Sequence, residues 1–188
     1  MQSVKRNILL NPGPATTTDS VKYAQVVSDM CPREKDFCNL MEFVSSELTN
    51  IVADPKQYTT VLFGGSGTAA VESILSSVMT DGVVVIINNG AYGKRMCEIA
   101  EAYQLDWIEY QSQPDQPLQL ELLQSFIQGL PQPISYLAVV HNETTTGLLN
   151  DIEAIGTICM KNRIEMIVDA MSSFAAIPID MNKMNISY

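Results

Sequence analysis

From residue 59 onward, short β-branched apolar runs alternate with longer amphipathic stretches, and few folds accept that pattern. Runs of strand length stand at 59–63, 83–87, 106–110, 135–140 and 164–168. Helical periodicity fills the intervals at 67–79, 92–103, 118–128 and 151–161, and two more helical patterns precede them at 19–29 and 35–53. A chain that returns through a helix after each strand lays its strands parallel. The run 83–87 is apolar at every position, as a strand covered on both faces must be. The expected fold is therefore a three-layer α/β domain, a mainly parallel sheet with helices on both faces. With 188 residues, 46% of them apolar, the chain can bury such a core. Pro114 to Pro117 and Pro131 to Pro133 read as loops, and no internal repeat is present.

Ligands of such sheets gather beyond the carboxyl ends of the strands. After the first run comes Gly64-Gly65-Ser66-Gly67-Thr68, then an amphipathic helix. The first N–H groups of a helix lack internal acceptors, the macrodipole adds positive character, and glycine admits close approach, so this junction suits an anion. Glycine also serves plain turns, so the junction alone names no ligand. A P-loop requires a lysine after its last glycine, and Thr68-Ala69 stand there. Gly65 to Ala70 matches the dinucleotide pattern G-x-G-x-x-A, but that pattern calls for an acid about 20 residues on, and the next strand ends in Asn88-Asn89-Gly90. The other strand ends carry Ala91-Tyr92-Gly93-Lys94-Arg95, His141-Asn142-Glu143-Thr144-Thr145-Thr146-Gly147 and Asp169-Ala170-Met171-Ser172-Ser173.

Each piece has an ordinary structural use as well. Asp169 suits a turn or cap, Tyr92 suits packing, and Thr144 to Thr146 suit a turn. His141, the sole histidine, is read as structural or as support for the site. Taken together, an anion cradle, a flat ring, a hydroxyl and a carboxylate describe a site for pyridoxal 5'-phosphate, in which the acid keeps the pyridine nitrogen protonated.

These segments, with Asn11-Pro12-Gly13-Pro14, resemble those of the class V (fold type I) aminotransferases across the whole chain. The resemblance is to the members that act on 2-aminoethylphosphonate, and it implies transfer of its amino group to pyruvate, giving phosphonoacetaldehyde and alanine. By that resemblance Ser66, Gly67 and Thr68 bind the cofactor phosphate, Tyr92 stacks on the ring, Thr144 lies near the ring hydroxyl and Asp169 pairs with the ring nitrogen. It also implies a homodimer with the N-terminal arm near the shared site. The Schiff-base lysine of the family would fall past Tyr188, so no catalytic residue is assigned within the chain, and Lys183 is read as a bystander. The chain is accordingly expected to be the N-terminal part of a larger enzyme, inactive alone and poorly stable or oligomeric. By the same resemblance, residues 1–34 are expected to form an arm and first helix and residues 35–188 an incomplete cofactor-binding large domain, with the family's C-terminal small domain expected to lie outside these residues. Strands following residue 185 are expected between the 59–63 and 135–140 strands.

The net charge of −10 argues against nucleic acid or an anionic membrane as partner. No apolar run is long enough to span a bilayer, the start lacks a signal-peptide core, and a cytoplasmic setting follows. Cys31, Cys38, Cys97 and Cys159 include no C-x-x-C pair, so no metal site is expected and the thiols are read as buried or idle. Arg33, Lys35 and Arg95 are candidates for an anionic substrate, with solvated surface charge the simpler reading. The competing functions are another class V aminotransferase of the alanine–glyoxylate or serine type, a nicotinamide-dependent oxidoreductase, and an inactive fragment.

Overall fold

In the computed structural model, which describes residues 4–11, 13–79 and 81–188, the run around Ile86 becomes strand β1 (Val84–Asn88). The elements before it are α1 (Asp19–Ala24), α2 (Lys35–Val52) and α3 (Gly67–Val78). After it come α4 (Ala91–Ala102), β2 (Trp107–Gln111), α5 (Leu120–Gly129) and β3 (Tyr136–Val140). The short strands β4 (Asn142–Glu143) and β5 (Leu148–Leu149), then α6 (Ile152–Asn162) and β6 (Glu165–Asp169), complete the order. The main sheet has the strand order β2-β1-β3-β6, and every pairing in it is parallel.

Side chains alternate across a strand, so each central strand feeds two cores. Val85, Ile87, Leu137, Val139 and Met166 pack with Leu123 of α5 and Ile152, Ile155 and Cys159 of α6. Val84, Ile86, Ala138, Val140 and Ile167 face the other way, against Leu75 of α3 and Met96, Ile99 and Ala100 of α4. Burial of each large aliphatic side chain contributes about 1.5–3 kcal/mol, so the two-sided cover of β1 and β3 dominates stability. Cys97 and Cys159 belong to these cores, and burial pushes both thiols up to about 12. Cys31 and Cys38 lie outside them as free thiols. Two cap residues fix where helices begin: Ser66 Oγ accepts from Ala69 N–H at 3.3 Å and Asp151 Oδ1 from Ala154 N–H at 3.0 Å.

Three expectations need correction. The helix expected over 19–29 ends at Ala24, and the β-branched pair Val26 and Val27 that follows is 78% and 72% exposed, with no core to hold it helical. The 59–63 run is not a strand. It is held by the side chains of α2 instead of a sheet neighbour: Thr49 Oγ1 accepts from Thr60 N–H at 3.0 Å, and Ser45 Oγ donates to the Thr60 carbonyl at 2.6 Å. An apolar cavity of about 290 Å³, bordered by Tyr58, Phe63, Ile74 and Tyr188, separates this segment from the sheet. Finally, the chain after 185 does not run beside the 135–140 strand, because β1 and β6 occupy both edges of β3. It follows the outer edge of β6, where Ser187 N–H donates to the Met166 carbonyl and Val168 N–H to the Tyr188 carbonyl, each at 2.9 Å. Of the arm motif, Pro12 lies outside the described residues.

Thr49 is 3% exposed and supplies an acceptor for a backbone N–H that no strand satisfies. Thr49→Val keeps the shape and removes the acceptor, so it should cost about 1–3 kcal/mol in a urea titration. Amide exchange at Thr60 should rise with it. A variant as stable as the parent, with Thr60 still protected, would show that the segment has another anchor.

Candidate active site

Because β2 and β3 lie on opposite sides of β1, the chain changes direction between β1 and β3, and a crevice opens at their carboxyl ends. Four segments meet there: the start of α3, the start of α4 after Asn88, the turn after Val140, and the turn after Asp169. Two adjoining cavities result. One of about 470 Å³ is bordered by Tyr92, Thr144, Asp169 and Ser172 and, from the N-terminal arm, Gly13 and Pro14. The other, of about 210 Å³, is bordered by Ser66, Gly67, Thr68, Tyr92, Arg95 and Asp169. Met171 borders both, along with Tyr92 and Asp169. All the residues expected to hold the cofactor therefore line two adjoining cavities that share Tyr92, Asp169 and Met171, the larger of them within the roughly 300–1,000 Å³ of small-molecule sites.

At the smaller end, Ser66 caps α3, so Gly67 and Thr68 begin the helix with N–H groups directed out of it. A Cβ on Gly67 would lie 2.8 Å from Met171 Sδ, so the glycine lets the β6 turn close over the helix end. This end suits an anion by dipole and by donors. Arg95 is the cation on its border. The side chain is half-exposed, with Nε 3.6 Å from a Glu98 carboxylate oxygen. That is a closer relation to the site than solvated surface charge implies, whereas Arg33 and Lys35 border neither cavity.

At the larger end, Tyr92 is 44% exposed and stands on the first turn of α4. Asp169 ends β6 opposite Val140, and its Oδ1 accepts from Met171 N–H at 3.0 Å. Burial pushes its carboxyl above the ordinary carboxylate range, and the Met171 N–H partly offsets this. The carboxylate is thus underpaired, which suits a cation or an N–H donor on a ligand. Thr144 borders the cavity, while Thr146 turns away, its N–H and Oγ1 on the Glu143 carbonyl at 3.2 and 3.4 Å. Gly147 closes that turn at φ 77° and leads into the β4–β5 hairpin.

His141 is a framework residue. Its N–H donates to the Asp169 carbonyl at 2.9 Å and its carbonyl accepts from Asn150 N–H at 2.8 Å, extending the β3–β6 ladder into the site. The ring is 5% exposed, Nδ1 has no partner among the described residues, and burial lowers its basicity. Lys183 lies away from both cavities on the α6 side, with Nζ 3.0 Å from Glu153 Oε2. Sequence reasoning missed Glu143, Met171, Ser172 and the in-chain contact of Gly13 and Pro14 with the cavity. Glu143 left one signal: an acid three residues past an apolar strand, facing a helix start with no acid of its own.

A protein-family model described as Aminotransferase class-V matches residues 17–188. The 2-aminoethylphosphonate–pyruvate transaminase of Lysinibacillus sphaericus (strain C3-41) is 40% identical over 183 residues, 96% of this chain and 49% of that protein. A bifunctional phosphonoacetaldehyde hydrolase/aminoethylphosphonate transaminase of Clostridioides difficile (strain 630) is 37% identical over 96% of this chain and 28% of its own length. Among solved structures, an alanine–glyoxylate aminotransferase from Nostoc sp. superposes with TM-score 0.85 at 28% identity, covering 98% of this chain and 48% of the other. A pyridoxamine–pyruvate aminotransferase from Mesorhizobium loti shares the fold at TM-score 0.86 and 22% identity, over 97% of this chain and 46% of its own. The chain thus spans about half the length of most of these relatives, and less of the bifunctional one. Among the described residues no helix is long and apolar enough to cross a membrane.

The strained state of Asp169 gives a stability test with a definite sign. A carboxyl whose pKa is raised by folding holds its proton more tightly when folded, so stability is lost as pH rises from the unfolded value through the raised one. Asp169→Asn stays neutral and keeps the Oδ1 acceptor. Without ligand it should therefore be more stable than the parent at neutral pH. The gain should close as pH falls below about 4. Urea melts across pH measure it, and a variant less stable than the parent at neutral pH would make Asp169 a structural anchor.

Proposed function

This chain belongs to the class V aminotransferases, and we propose that the protein carrying it transfers the amino group of 2-aminoethylphosphonate to pyruvate with pyridoxal 5'-phosphate as cofactor. The products are phosphonoacetaldehyde and alanine. The observation that carries the proposal is the convergence of Ser66, Gly67, Thr68, Tyr92, Thr144 and Asp169 on two adjoining cavities at the strand ends, with Tyr92 and Asp169 on the border of both. The substrate assignment draws on relatives at 37–40% identity along 96% of the chain. The Nostoc structure supports the alanine–glyoxylate alternative at 28%.

The cofactor fits the residues present. Its phosphate suits the small end, where Gly67 leaves no room for a side chain beneath Met171, and its ring suits the larger end. When bound, the cofactor supplies an electron sink for bonds at the amino carbon. Ser66, Gly67 and Thr68 hold the phosphate through their N–H and hydroxyl groups at the α3 dipole. Tyr92 provides a flat face for the ring, and Thr144 Oγ1 a hydrogen bond for its oxygen. Asp169 keeps a proton on the ring nitrogen, and its underpaired carboxylate is satisfied by doing so. Met171 and the arm residues Gly13 and Pro14 limit water around the ring. The covalent lysine is assigned outside residues 1–188, with residues 1–34 as arm and first helix and 35–188 as part of the large domain. The working form is a homodimer in the cytoplasm. Exposed apolar Ile8 and Leu10 on the arm are consistent with a partner surface.

Full-length protein supplied with 2-aminoethylphosphonate and pyruvate should form alanine, at a rate above that of glycine formation from alanine and glyoxylate or of alanine formation from serine and pyruvate. Asp169→Ala should lower the rate at least about a hundredfold. Lys183→Ala should leave it within about twofold, as expected for an exposed ion pair worth little. Protein that retains no pyridoxal phosphate and forms no alanine, or that binds a nicotinamide cofactor in its place, sinks the proposal.

A further inference from the structure

Glu143 is fully buried, yet it borders neither cavity. Its carboxylate receives two of the free N–H groups at the start of α4: Gly93 donates to Oε1 at 2.7 Å and Tyr92 to Oε2 at 3.2 Å. A helix ordinarily satisfies these groups with a side chain at its own N-cap. Here the N-cap is Gly90, which has none, and the first turn carries no acid. The cap comes instead from β4, 50 residues away in sequence.

The glycines of Asn89-Gly90-Ala91-Tyr92-Gly93 follow from that arrangement. A Cβ on Gly90 would collide with the Glu143 carboxyl carbon, and one on Gly93 would lie 2.6 Å from the Ile87 carbonyl oxygen. The helix start is thus pressed against β1 on one side and against Glu143 on the other. Tyr92 and Thr144 are the residues fixed by this contact. Tyr92 donates its own backbone N–H to the carboxylate, and Thr144 is the next residue after it. Both border the larger cavity.

We infer that Glu143 is a positioning residue that sets the separation between Tyr92 and Thr144, and with it the slot that receives the cofactor ring. The inference rests on the proposed role of Tyr92. A carboxylate with two donors suits this task, because it fixes a helix end in direction as well as distance. An amide at the same position retains one acceptor and turns a donor toward the second N–H.

The test is a double-mutant cycle in the full-length apoprotein, titrated with pyridoxal 5'-phosphate. Tyr92→Ala should weaken binding roughly 3- to 10-fold, the size of an aromatic stacking contribution. Glu143→Gln should weaken it by a similar or smaller factor and alter the circular dichroism of the bound cofactor. The double variant should bind no worse than Tyr92→Ala, because Glu143 acts through that ring. Gly90→Ala crowds the same carboxylate without removing it, and should reproduce the coupled loss if Glu143→Gln fails to fold. Multiplicative losses would overturn the inference, as would a Glu143→Gln protein of lowered melting temperature with unchanged affinity and dichroism; either makes Glu143 a helix cap alone. Unchanged binding by Tyr92→Ala would overturn the ring role of Tyr92 together with the inference. Loss of binding by Tyr92→Ala with none by Glu143→Gln overturns the inference and leaves the proposed function standing.

Discussion

Cover on both faces of the parallel sheet is the constraint from which the rest follows. β1 and β3 are buried above and below, and their flanks are closed by β2 and β6. A polar side chain in the middle of these strands would be left unpaired, which in such surroundings costs several kcal/mol; the polar residues they carry, Asn88 and Tyr136, stand at the strand ends and are hydrogen-bonded. Chemistry is therefore pushed to the strand ends. The strand order then selects which ends, since β1 and β3 send the chain in opposite directions and leave a crevice between them.

The buried polar residues follow that rule. Asn89, His141, Glu143, Asn150 and Ser173 all lie at the carboxyl edge, with Thr49 under the 59–63 segment as the exception. Apart from His141, whose ring Nδ1 has no partner among the described residues, their side chains are bonded to one another or to backbone. Asn89 Nδ2 donates to Asn150 Oδ1 at 2.9 Å, and Asn150 Nδ2 donates to the Val140 carbonyl at 2.8 Å. Ser172 Oγ reaches the Asn142 carbonyl at 2.9 Å, tying the β6 turn to the β3 turn. Satisfied networks of this kind hold groups rigidly. The cavity-lining residues rest on them, so that loops from four parts of the chain keep a common geometry.

Much of this was legible in the chain because the sheet repeats one simple signal. The apolar runs at 83–87, 106–110, 135–140 and 164–168 became strands within a residue or so, and the motifs after the first, third and fourth of them reached the same edge. The 59–63 run carried the same local signal and did not become a strand. Pairing is a property of two segments, and what stands beside Thr60 is a helix whose hydroxyls stand in for a neighbour. The helix expected to 29 failed for a related reason, since Val26 and Val27 have nothing to pack on. Strand neighbours beyond 185 were misplaced because sequence does not state sheet order. Glu143 was overlooked because its partners are backbone groups, which no side-chain pattern displays.

The two acids nearest the crevice show how one sheet edge separates structural from chemical roles. Glu143 and Asp169 follow adjacent strands, both in low-dielectric surroundings. Glu143 has each oxygen on a backbone N–H of a helix start, where the dipole also favours negative charge. Each of its oxygens thus has a donor within the fold. Asp169 has a single backbone donor, from Met171, while burial works against its charge. It stands on the border of both cavities with accepting capacity left over. A partly buried acid left in that state lowers the stability of the apoprotein at neutral pH, and a cationic N–H donor on a ligand would offset that on binding. Of the two carboxylates, the one the fold has already paired can only position others, and the one it has left short is the one equipped to meet a ligand.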